Sequence, residues 1–216
     1  MDQSKSEEIQ YIGKLSVNNS CFYREYVLGN DTPEMRATAL VIGQALQQPF
    51  FTEMRTNQQL GYIVWSYTRS RDETYYLSFV IQSGAFTADD VNQRADDFIA
   101  STPELLTAMD DETFQQLKES AIEKLEKKPM SISERANKLQ TFIFEHDADF
   151  QRDQKTIAAL ETLQQSSTVE LLSKTLGTDT RRMVNFLMFA EQHENTTGAK
   201  GTFNKLKTWK ASRSYK

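Results

Sequence analysis

The sequence predicts an α+β domain in which an antiparallel β-sheet carries helices packed on one face. Two observations support this fold class. Alternation of apolar and polar residues with a period of two is confined to a pair of runs within residues 62–82, whereas helical periodicity dominates residues 87–176. Strand-like segments rich in β-branched and aromatic residues also occur on either side, at 21–28 and 182–189.

The chain begins with a polar lead-in, a strand and a long helix. Residues 1–19 form a lead-in or linker that can add an edge strand through a small apolar patch, made of Tyr11, Ile12 and Leu15. After the strand at 21–28, Thr32 is expected to cap a helix with Pro33 at its first position, where the missing N–H costs nothing. Pro49 is expected to break this helix, because the residue before a proline disfavours helical backbone, and a second piece continues to about residue 57.

A β-hairpin is the clearest strand signal. Ile63, Trp65 and Tyr67 alternate with their neighbours, and so do four apolar positions of the next run, Tyr75, Leu77, Phe79 and Ile81. A polar turn at 70–73 joins the two runs. Period-two patterning over both runs predicts antiparallel strands with one buried face.

The helical region divides at capping residues and prolines. Thr87 with Asp90 resembles a capping box at the start of the first helix. Pro103 is expected to open a further helical piece. A long helix then begins at Asp110 or the next aspartate and is stopped by Pro129.

Two later helices also carry start signals. Ser131 with Glu134 is expected to cap a helix that buries an apolar face, made of Ala136, Leu139 and Ile143. Ser167 with Glu170 is expected to cap a shorter helix that ends at 176–177. A final strand follows at 182–189.

The domain boundaries follow from these elements. Residues 1–19 are the lead-in, 20–190 the α+β domain, and 191–216 a connector and C-terminal tail packed on the domain. The connector at 194–202 is expected to be flexible, and a last helix is expected to pack through Phe203, Leu206 and Trp209.

Composition argues against several classes of protein. The 216 residues carry a net charge of −5, and this mild charge argues against a nucleic-acid partner, which usually requires a basic stripe. The single Cys21 cannot form an internal disulfide. No apolar run approaches the ~18 residues of a membrane span, and the N-terminus lacks the basic-then-apolar order of a signal peptide. We expect a soluble protein of the cytoplasm or bacterial periplasm without a membrane partner.

Metal chemistry has little support in the residues. Zinc needs at least three ligands, and the two histidines, His146 and His193, are far apart. Glu145 and His146 match the last two positions of the inverted zinc motif H-x-x-E-H, but Phe142 stands where the first histidine is needed. His146 is therefore expected at a helix end, and His193 in a solvated loop. No metal site and no cofactor are predicted in this chain.

Nucleophilic and acid–base chemistry are no better supported. Cys21 lies within an apolar strand, where a thiol is more often a small buried hydrophobe than a nucleophile. Neither a G-x-S-x-G elbow nor a phosphate-binding glycine loop occurs. Carboxylate pairs at 89–90, 96–97 and 110–111 lie at helix starts or on exposed faces, where capping or solvation is their ordinary role. The chain alone is predicted to be inactive as a catalyst.

One segment remains as a candidate site. Residues 51–65, FTEMRTNQQLGYIVW, end a helix, turn at Gly61 and start an apolar strand. This arrangement brings the guanidinium of Arg55 and the phenol of Tyr62 to one mouth of the sheet. From the residues alone, the ordinary interpretation is a surface arginine at a helix end and a strand tyrosine packed on its neighbours.

The same segment carries a family resemblance. Residues 54–66, with the core R-T-x-x-Q-L-G-Y, resemble a segment in the C-terminal half of long-chain members of the insulinase/pitrilysin family of inverted zinc peptidases. The resemblance covers about 25–190, including the preceding helix and the helical run. Enzymes of this family have four homologous α+β domains in two halves that close around a chamber. Their zinc ligands and catalytic glutamate lie in the first domain.

The resemblance implies a non-catalytic role for this chain. It is similar to the last domain, which lacks metal ligands, so zinc would belong to the parent enzyme. Carried over, Arg55 would hold a substrate carbonyl, and Tyr62 would donate a hydrogen bond to the scissile carbonyl or its oxyanion. The implied function is a C-terminal domain of a zinc metalloendopeptidase that closes the chamber, with the N-terminal catalytic half and peptide substrates as partners. A standalone peptide- or protein-binding module without protease activity is the alternative.

Overall fold

The computed structural model describes residues 6–203 and 206–211, which form strands, α-helices and one π-helical turn. The strands are β1 (Glu7–Lys14), β2 (Ser20–Asn30), β3 (Ile63–Arg71), β4 (Thr74–Ser83) and β5 (Arg182–Phe189). The α-helices are α1 (Pro33–Phe51), α2 (Ala88–Thr107), α3 (Asp111–Glu126), α4 (Ile132–Glu145), α5 (Arg152–Thr162), α6 (Gln165–Leu176) and α7 (Leu206–Ala211). The π-helical turn, Thr52–Asn57, follows α1 directly.

The strands form one sheet in the order β1-β5-β2-β4-β3. The predicted hairpin is confirmed, because β3 and β4 pair antiparallel, with Trp65 opposite Val80. Strand β2 lies between β4 and β5 and is antiparallel to both. The sheet is mixed and not wholly antiparallel, because β1 runs parallel to β5, with Glu7 opposite Arg182. The predicted lead-in thus supplies an edge strand, and the α+β class is confirmed.

Helices cover one face of the sheet, as predicted. The main core lies between that face and helices α1, α2 and α6, and its largest fully buried side chains include Phe22, Phe50, Phe79, Leu77 and Leu172. A second, smaller cluster joins α1 to α3 and α5 through Ala37, Val41, Phe114, Ala121 and Leu160. The architecture is therefore a sheet, a helix layer and an outer helix pair.

The other face of the sheet carries a row of side chains, four of them aromatic and one a valine. The strand register places five residues side by side across the sheet, in the order Tyr11, Phe186, Tyr23, Val80 and Trp65. The ring of Phe186 lies 5.9 Å from those of both Tyr11 and Tyr23. Trp65 is 59% exposed, so this face is accessible to solvent beside the candidate segment.

Most predicted helix starts are confirmed. The side-chain oxygens of Thr32, Thr87, Asp110 and Ser131 each accept a hydrogen bond from a backbone N–H of the first helical turn. The expected cap at Ser167 is wrong, because α6 already begins at Gln165. The side-chain amide of Gln165 donates to the carbonyls of Leu106 and Met109 at 2.7 and 2.8 Å, and this tertiary contact fixes the helix start.

The breaks expected at prolines are wrong. Pro49 and Pro103 lie inside α1 and α2, which continue through them. A proline inside a helix removes one backbone hydrogen bond. Burial outweighs this loss, since Phe50 and Thr102, which adjoin the prolines, are fully buried.

Helix α4 differs most from its prediction. Ala136 is exposed, and Leu139 and Ile143 are 40% and 48% exposed, although all three were expected to be buried. The helix turns Phe142 toward the domain instead, leaving it 9% exposed. The apolar stripe that the sequence predicts is therefore present on α4, but no part of the chain that the structure describes packs over it.

The segment after β5 is tied to the domain by Asp89. This carboxylate is 5% exposed, and it accepts hydrogen bonds from the Thr197 backbone N–H and the Thr196 hydroxyl, both at 3.1 Å. Beyond it, the ring of Phe203 stacks on Trp209, with centroids 4.9 Å apart; this contact lies within the tail, so packing of the tail on the domain stays a prediction. The Leu206 side chain lies outside the described residues. None of the helices described is both long and apolar enough to cross a bilayer.

Candidate functional site

The candidate segment begins with a change of helix type. At Thr52 the α-helix widens into a π-helical turn, in which the Gln58 N–H donates to the Glu53 carbonyl at 3.0 Å. The widening begins three residues after Pro49, and buried Met54 holds the turn against the core. Single π-helical turns are frequent at functional sites, because the extra residue re-aims the side chains around it. Arg55 lies within this turn.

The exit from the turn differs from the expected glycine corner. The residue with left-handed backbone is Gln59, at φ 53°, and Leu60 then enters the core, 1% exposed. Gly61 is required for another reason. A Cβ on Gly61 would lie 1.8 Å from the Gln82 carbonyl oxygen, so only glycine permits this approach to the end of β4.

Arg55 and Tyr62 lie in direct contact. The Arg55 guanidinium is 4.5 Å from the centroid of the Tyr62 ring and 5.4 Å from that of Phe51, and it also donates a hydrogen bond to the Tyr62 backbone carbonyl. A guanidinium within about 6 Å of an aromatic centroid is attracted by the ring quadrupole. Tyr62 is nevertheless 81% exposed. The predicted pair is thus brought together, with the tyrosine held and accessible.

Polar contacts brace the turn from its other side. The side-chain amides of Asn57 and Gln58 donate to the two carboxylate oxygens of Glu53, at 2.7 and 2.8 Å, and they hold the pKa of Glu53 below its usual value. Gln58 in turn accepts a hydrogen bond from Arg94 of α2 at 3.3 Å. These residues border a shallow cavity of about 630 Å³ between the turn and α2. The turn is therefore tied to α2 as well as to the core.

The residues that the structure describes do not fit a zinc centre. Among the described residues, no three His, Cys, Asp or Glu side chains are grouped so that they could hold a metal ion. Phe142 packs edge-on against Phe150, with centroids 6.4 Å apart, where a first zinc ligand would be needed. His146 ends α4 beside a polar cleft of about 540 Å³. Burial, together with nearby Arg152, lowers the pKa of His146.

The other histidine and the cysteine have structural surroundings. His193 lies in the loop after β5 and is half-exposed, and in addition its Nδ1 lies 2.8 Å from the hydroxyl of Ser20, which is 1% exposed. Ser20 Oγ also accepts from the Ala190 backbone N–H at 3.0 Å, so these contacts join the ends of β2 and β5. Burial raises the pKa of the Cys21 thiol, which makes the reactive thiolate scarce near neutral pH.

One carboxylate of each pair has a structural role. Asp110 caps α3 through the Thr113 N–H at 2.7 Å. Asp96 pairs with Arg24, which is 4% exposed and also donates to Asn92 at 2.7 Å, and this contact fixes α2 on the sheet. Asp89 accepts hydrogen bonds from the connector. None of the three is free for acid–base work in the part of the chain that the structure describes.

A second polar cluster was missed in the sequence. On the open sheet face, Glu25 is 4% exposed and accepts hydrogen bonds from Tyr23 at 2.6 Å, Ser78 at 3.2 Å and Arg69 at 2.5 and 3.0 Å. Arg71 completes the ion-pair network at 3.2 Å. Charged residues inside alternating strands, in REY at 24–26 and TRSR at 68–71, were the available signal. Their meeting depends on the strand register.

These features define a class of protein: an α+β domain without a metal centre among its described residues, which presents a braced arginine–tyrosine pair at the sheet edge. Comparison with known proteins specifies the class further. Residues 41–140 match the family model for the C-terminal lobe domain 4 of PQQ synthase PqqF-like proteins. The match includes the whole candidate segment from the π-helical turn to β3.

Curated relatives agree with this match. The chain is 27% identical to protease 3 of Salmonella typhi over 136 residues, and 30% identical to human insulin-degrading enzyme over 140 residues. These alignments cover 63% and 64% of the chain but only 14% of each relative. The chain therefore spans a small part of the length of the peptidases that it matches.

Solved structures show the same fold. Pitrilysin aligns over 91% of this chain and 21% of its own, with a TM-score of 0.77 and 21% identity. An inactive peptidase domain from Pseudomonas fluorescens aligns over 84% of this chain and 43% of its own, with a TM-score of 0.60 and 16% identity. By these comparisons the chain is similar to the C-terminal domain of peptidases of the insulinase/pitrilysin family.

Proposed function

We propose that this chain is the non-catalytic C-terminal domain of a zinc metalloendopeptidase, in which it closes the proteolytic chamber and supplies Arg55 and Tyr62 to the active site. The zinc and the catalytic glutamate belong to an N-terminal half. The observation that carries the proposal is a tyrosine that is 81% exposed and yet held by a stacked guanidinium. An exposed aromatic side chain restrained in this way is suited to a ligand outside the domain.

The chemistry fits a role in oxyanion stabilisation. The Tyr62 phenol makes no hydrogen bond to another residue that the structure describes, so its O–H is available to an incoming carbonyl. A donor aimed at developing negative charge in a closed, water-poor site contributes roughly 3–4 kcal/mol to transition-state stability. Preorganisation matters here, because a donor that is already oriented does not have to be ordered during the reaction.

Arg55 can serve the substrate while it holds Tyr62. A guanidinium has five N–H donors. The hydrogen bond to the Tyr62 backbone carbonyl uses one of them, and the face of the guanidinium is occupied by the ring. The remaining donors lie in the guanidinium plane, where a substrate carbonyl can accept from them. Arg55 therefore combines positioning of Tyr62 with binding of the peptide backbone.

The test is an assembled enzyme. The chain is mixed with the polypeptide from the same genome that carries the H-x-x-E-H helix of this family, and cleavage of a quenched fluorescent peptide is followed. We expect Tyr62→Phe to lower kcat by about 100-fold with little change in KM, because the donor acts mainly in the transition state. Tyr67→Phe, the same change on the adjoining strand, is the matched control. An unchanged kcat/KM in Tyr62→Phe would refute the assigned role.

A standalone peptide-binding module is the second candidate, and the accessible aromatic row on the open sheet face favours it. Trp65 and Phe186 are 59% and 36% exposed there. Isothermal titration calorimetry of the chain alone with extended peptides separates the two functions. Tight binding without an N-terminal half would support the module and count against the peptidase role.

A further inference from the structure

An apolar stripe runs along the outer side of α4. Ile132, Ala136, Leu139 and Ile143 are spaced by four, three and four residues, which places them on one face of the helix. That face points away from the domain. Ile132 is 90% exposed, Leu139 40% and Ile143 48%. We call these four residues the α4 stripe.

Neighbouring side chains widen the stripe into a patch. Met130, before the helix, is 83% exposed, and Phe144 and Phe150 at its other end are 77% and 52% exposed. The helix is attached through the side next to the stripe, where Phe142 is buried and Lys138 pairs with Asp153 of α5 at 2.6 Å. Large exposed apolar side chains grouped in one part of the surface are uncommon on monomers and mark interaction surfaces.

Charges of opposite sign flank the two ends of the patch. Near Met130, a shallow cavity of about 320 Å³ is bordered by four lysines, Lys124, Lys127, Lys128 and Lys138. Beyond Ile143, carboxylates outnumber the two arginines, Arg36 and Arg152, in the lining of the cleft that contains His146; they include Asp72, Glu73, Glu145 and Asp147. An apolar centre with a polar rim is the ordinary anatomy of a protein–protein interface. The acidic end also disfavours an anionic membrane surface.

We propose that the α4 stripe is the docking surface for a second folded domain of the parent peptidase, one that offers an apolar groove with acidic side chains opposite the lysines. The length of the relatives supports this occupant. The chain covers 14% of protease 3, so most of such a polypeptide lies outside the domain. This chain covers 43% of the solved inactive peptidase domain and 45% of a Helicobacter pylori protease. Each of those proteins is therefore about twice as long as the part that matches.

This inference rests on the proposed function in one respect, since its partner is the rest of the same enzyme. Assembly and catalysis are nevertheless separate properties. Substitutions in the α4 stripe are expected to weaken assembly, whereas substitutions of Tyr62 are expected to lower turnover of the assembled enzyme. A binding measurement therefore tests the stripe without reference to activity.

The experiment measures binding of the chain to the H-x-x-E-H polypeptide from the same genome, by sedimentation velocity. The test variant is the double substitution Ile132→Asp and Ile143→Asp, which places a carboxylate at each end of the stripe. We expect Kd to rise at least about 10-fold, because each carboxylate would be buried without a partner. Val17→Asp is the matched control, since Val17 is an apolar residue, 53% exposed, in the β1–β2 connection.

Both variants are expected to fold, because exposed positions away from special contacts change stability little; circular dichroism and thermal melting verify this. Amide hydrogen exchange adds a second readout, with slower exchange expected in α4 on assembly. An unchanged Kd in the double variant would overturn the docking surface and leave the proposed function intact. Absence of any complex with the unsubstituted chain would overturn both.

Two further outcomes would replace the proposed occupant. If the chain alone forms a dimer that the double variant abolishes, a second copy covers the stripe. If the chain binds vesicles of anionic phospholipid through α4, a membrane surface covers it. Either result, obtained without assembly through α4, contradicts docking on a companion domain.

Discussion

The Arg55 guanidinium lies 4.5 Å from the centre of the Tyr62 ring and donates a hydrogen bond to the backbone carbonyl of the same tyrosine. One side chain thus restrains both the ring and the backbone of its partner. The two residues are joined by the π-helical turn and the exit through Gln59, so their contact depends on the path of the chain between them.

Arg55→Lys should release Tyr62. An ammonium is a point charge on a flexible stem and cannot both stack on the ring and form the planar fork of a guanidinium. We expect NMR order parameters of the Gly61 and Tyr62 amides to fall from about 0.85 to below ~0.6. In the assembled enzyme, kcat should fall although Tyr62 is still present. Arg135→Lys, at an exposed position of α4, is the control for the relaxation measurement, and equal order parameters in both variants would contradict the bracing role.

Gly61→Ala should be strongly destabilising. Its Cβ would meet the Gln82 carbonyl oxygen at 1.8 Å, and this oxygen belongs to the backbone, so a rotamer change cannot relieve the clash. We expect the free energy of unfolding in urea to fall by about 2–4 kcal/mol. Gly198→Ala is the comparison, because Gly198 has φ +66° but nothing within 4 Å of its Cβ position. That change should cost only about 1 kcal/mol. Equal costs would show that the close approach to β4 is not what requires glycine.

Glu25 should contribute stability that is lost in acid. Burial alone would raise its pKa, but hydrogen bonds from Tyr23 and Arg69 outweigh burial and hold the pKa of Glu25 below its usual value. A folded pKa below the unfolded value, about 4.3, means that the contribution is complete above that pH and disappears as the pH falls through the folded pKa.

The measurement is urea denaturation of Glu25→Gln between pH 3 and 7. At pH 7 the variant should be less stable by about 1–3 kcal/mol, because the arginines lose a buried charged acceptor. The difference from the natural chain should shrink toward pH 3. Glu170→Gln, at an exposed position of α6, should change neither the stability at pH 7 nor its dependence on pH. If the difference in stability between Glu25→Gln and the natural chain stays constant with pH, the ionisation of Glu25 is not linked to folding.

Asp89→Asn should loosen the connector after β5. Burial alone would raise the pKa of Asp89, but donors from Thr87, Thr196 and Thr197 outweigh it and lower the pKa, so the site is built for a charged carboxylate. An asparagine side chain offers one acceptor oxygen and no charge. We expect faster amide exchange at Thr197 and faster proteolysis within 194–202. Asp97→Asn, on the exposed side of α2, is the control; unchanged protection in Asp89→Asn would contradict the tether.

Local signals in the sequence predicted much of the fold. Thr32 and Ser131 identify helix starts because a cap involves only residues within one turn. The hairpin is equally local, and its turn uses left-handed backbone at Asp72 and Glu73. Pro49 misled the prediction because its effect competes with burial of Phe50, which depends on the sheet. Helix boundaries at prolines thus required tertiary information.

The candidate site was predicted in part. The motif located Arg55 and Tyr62, but their mutual contact requires the widened turn, which leaves no simple pattern in the sequence. The requirement for Gly61 involves Gln82, a residue of the partner strand. For α4, periodicity correctly predicted an apolar stripe. It could not predict whether this chain or another polypeptide covers that stripe, because an amphipathic pattern does not specify its partner.

The parallel pairing of β1 with β5 sets an order of events during synthesis. Glu7 is paired with Arg182, so the first strand of the domain has its partner only when the last strand has been made. Contacts between such distant residues form slowly, because a long loop must close first. Until then β1 has unpaired backbone groups that can pair with other chains. Closure of this sheet is therefore a late folding step, and a nascent chain interrupted before β5 is prone to aggregation.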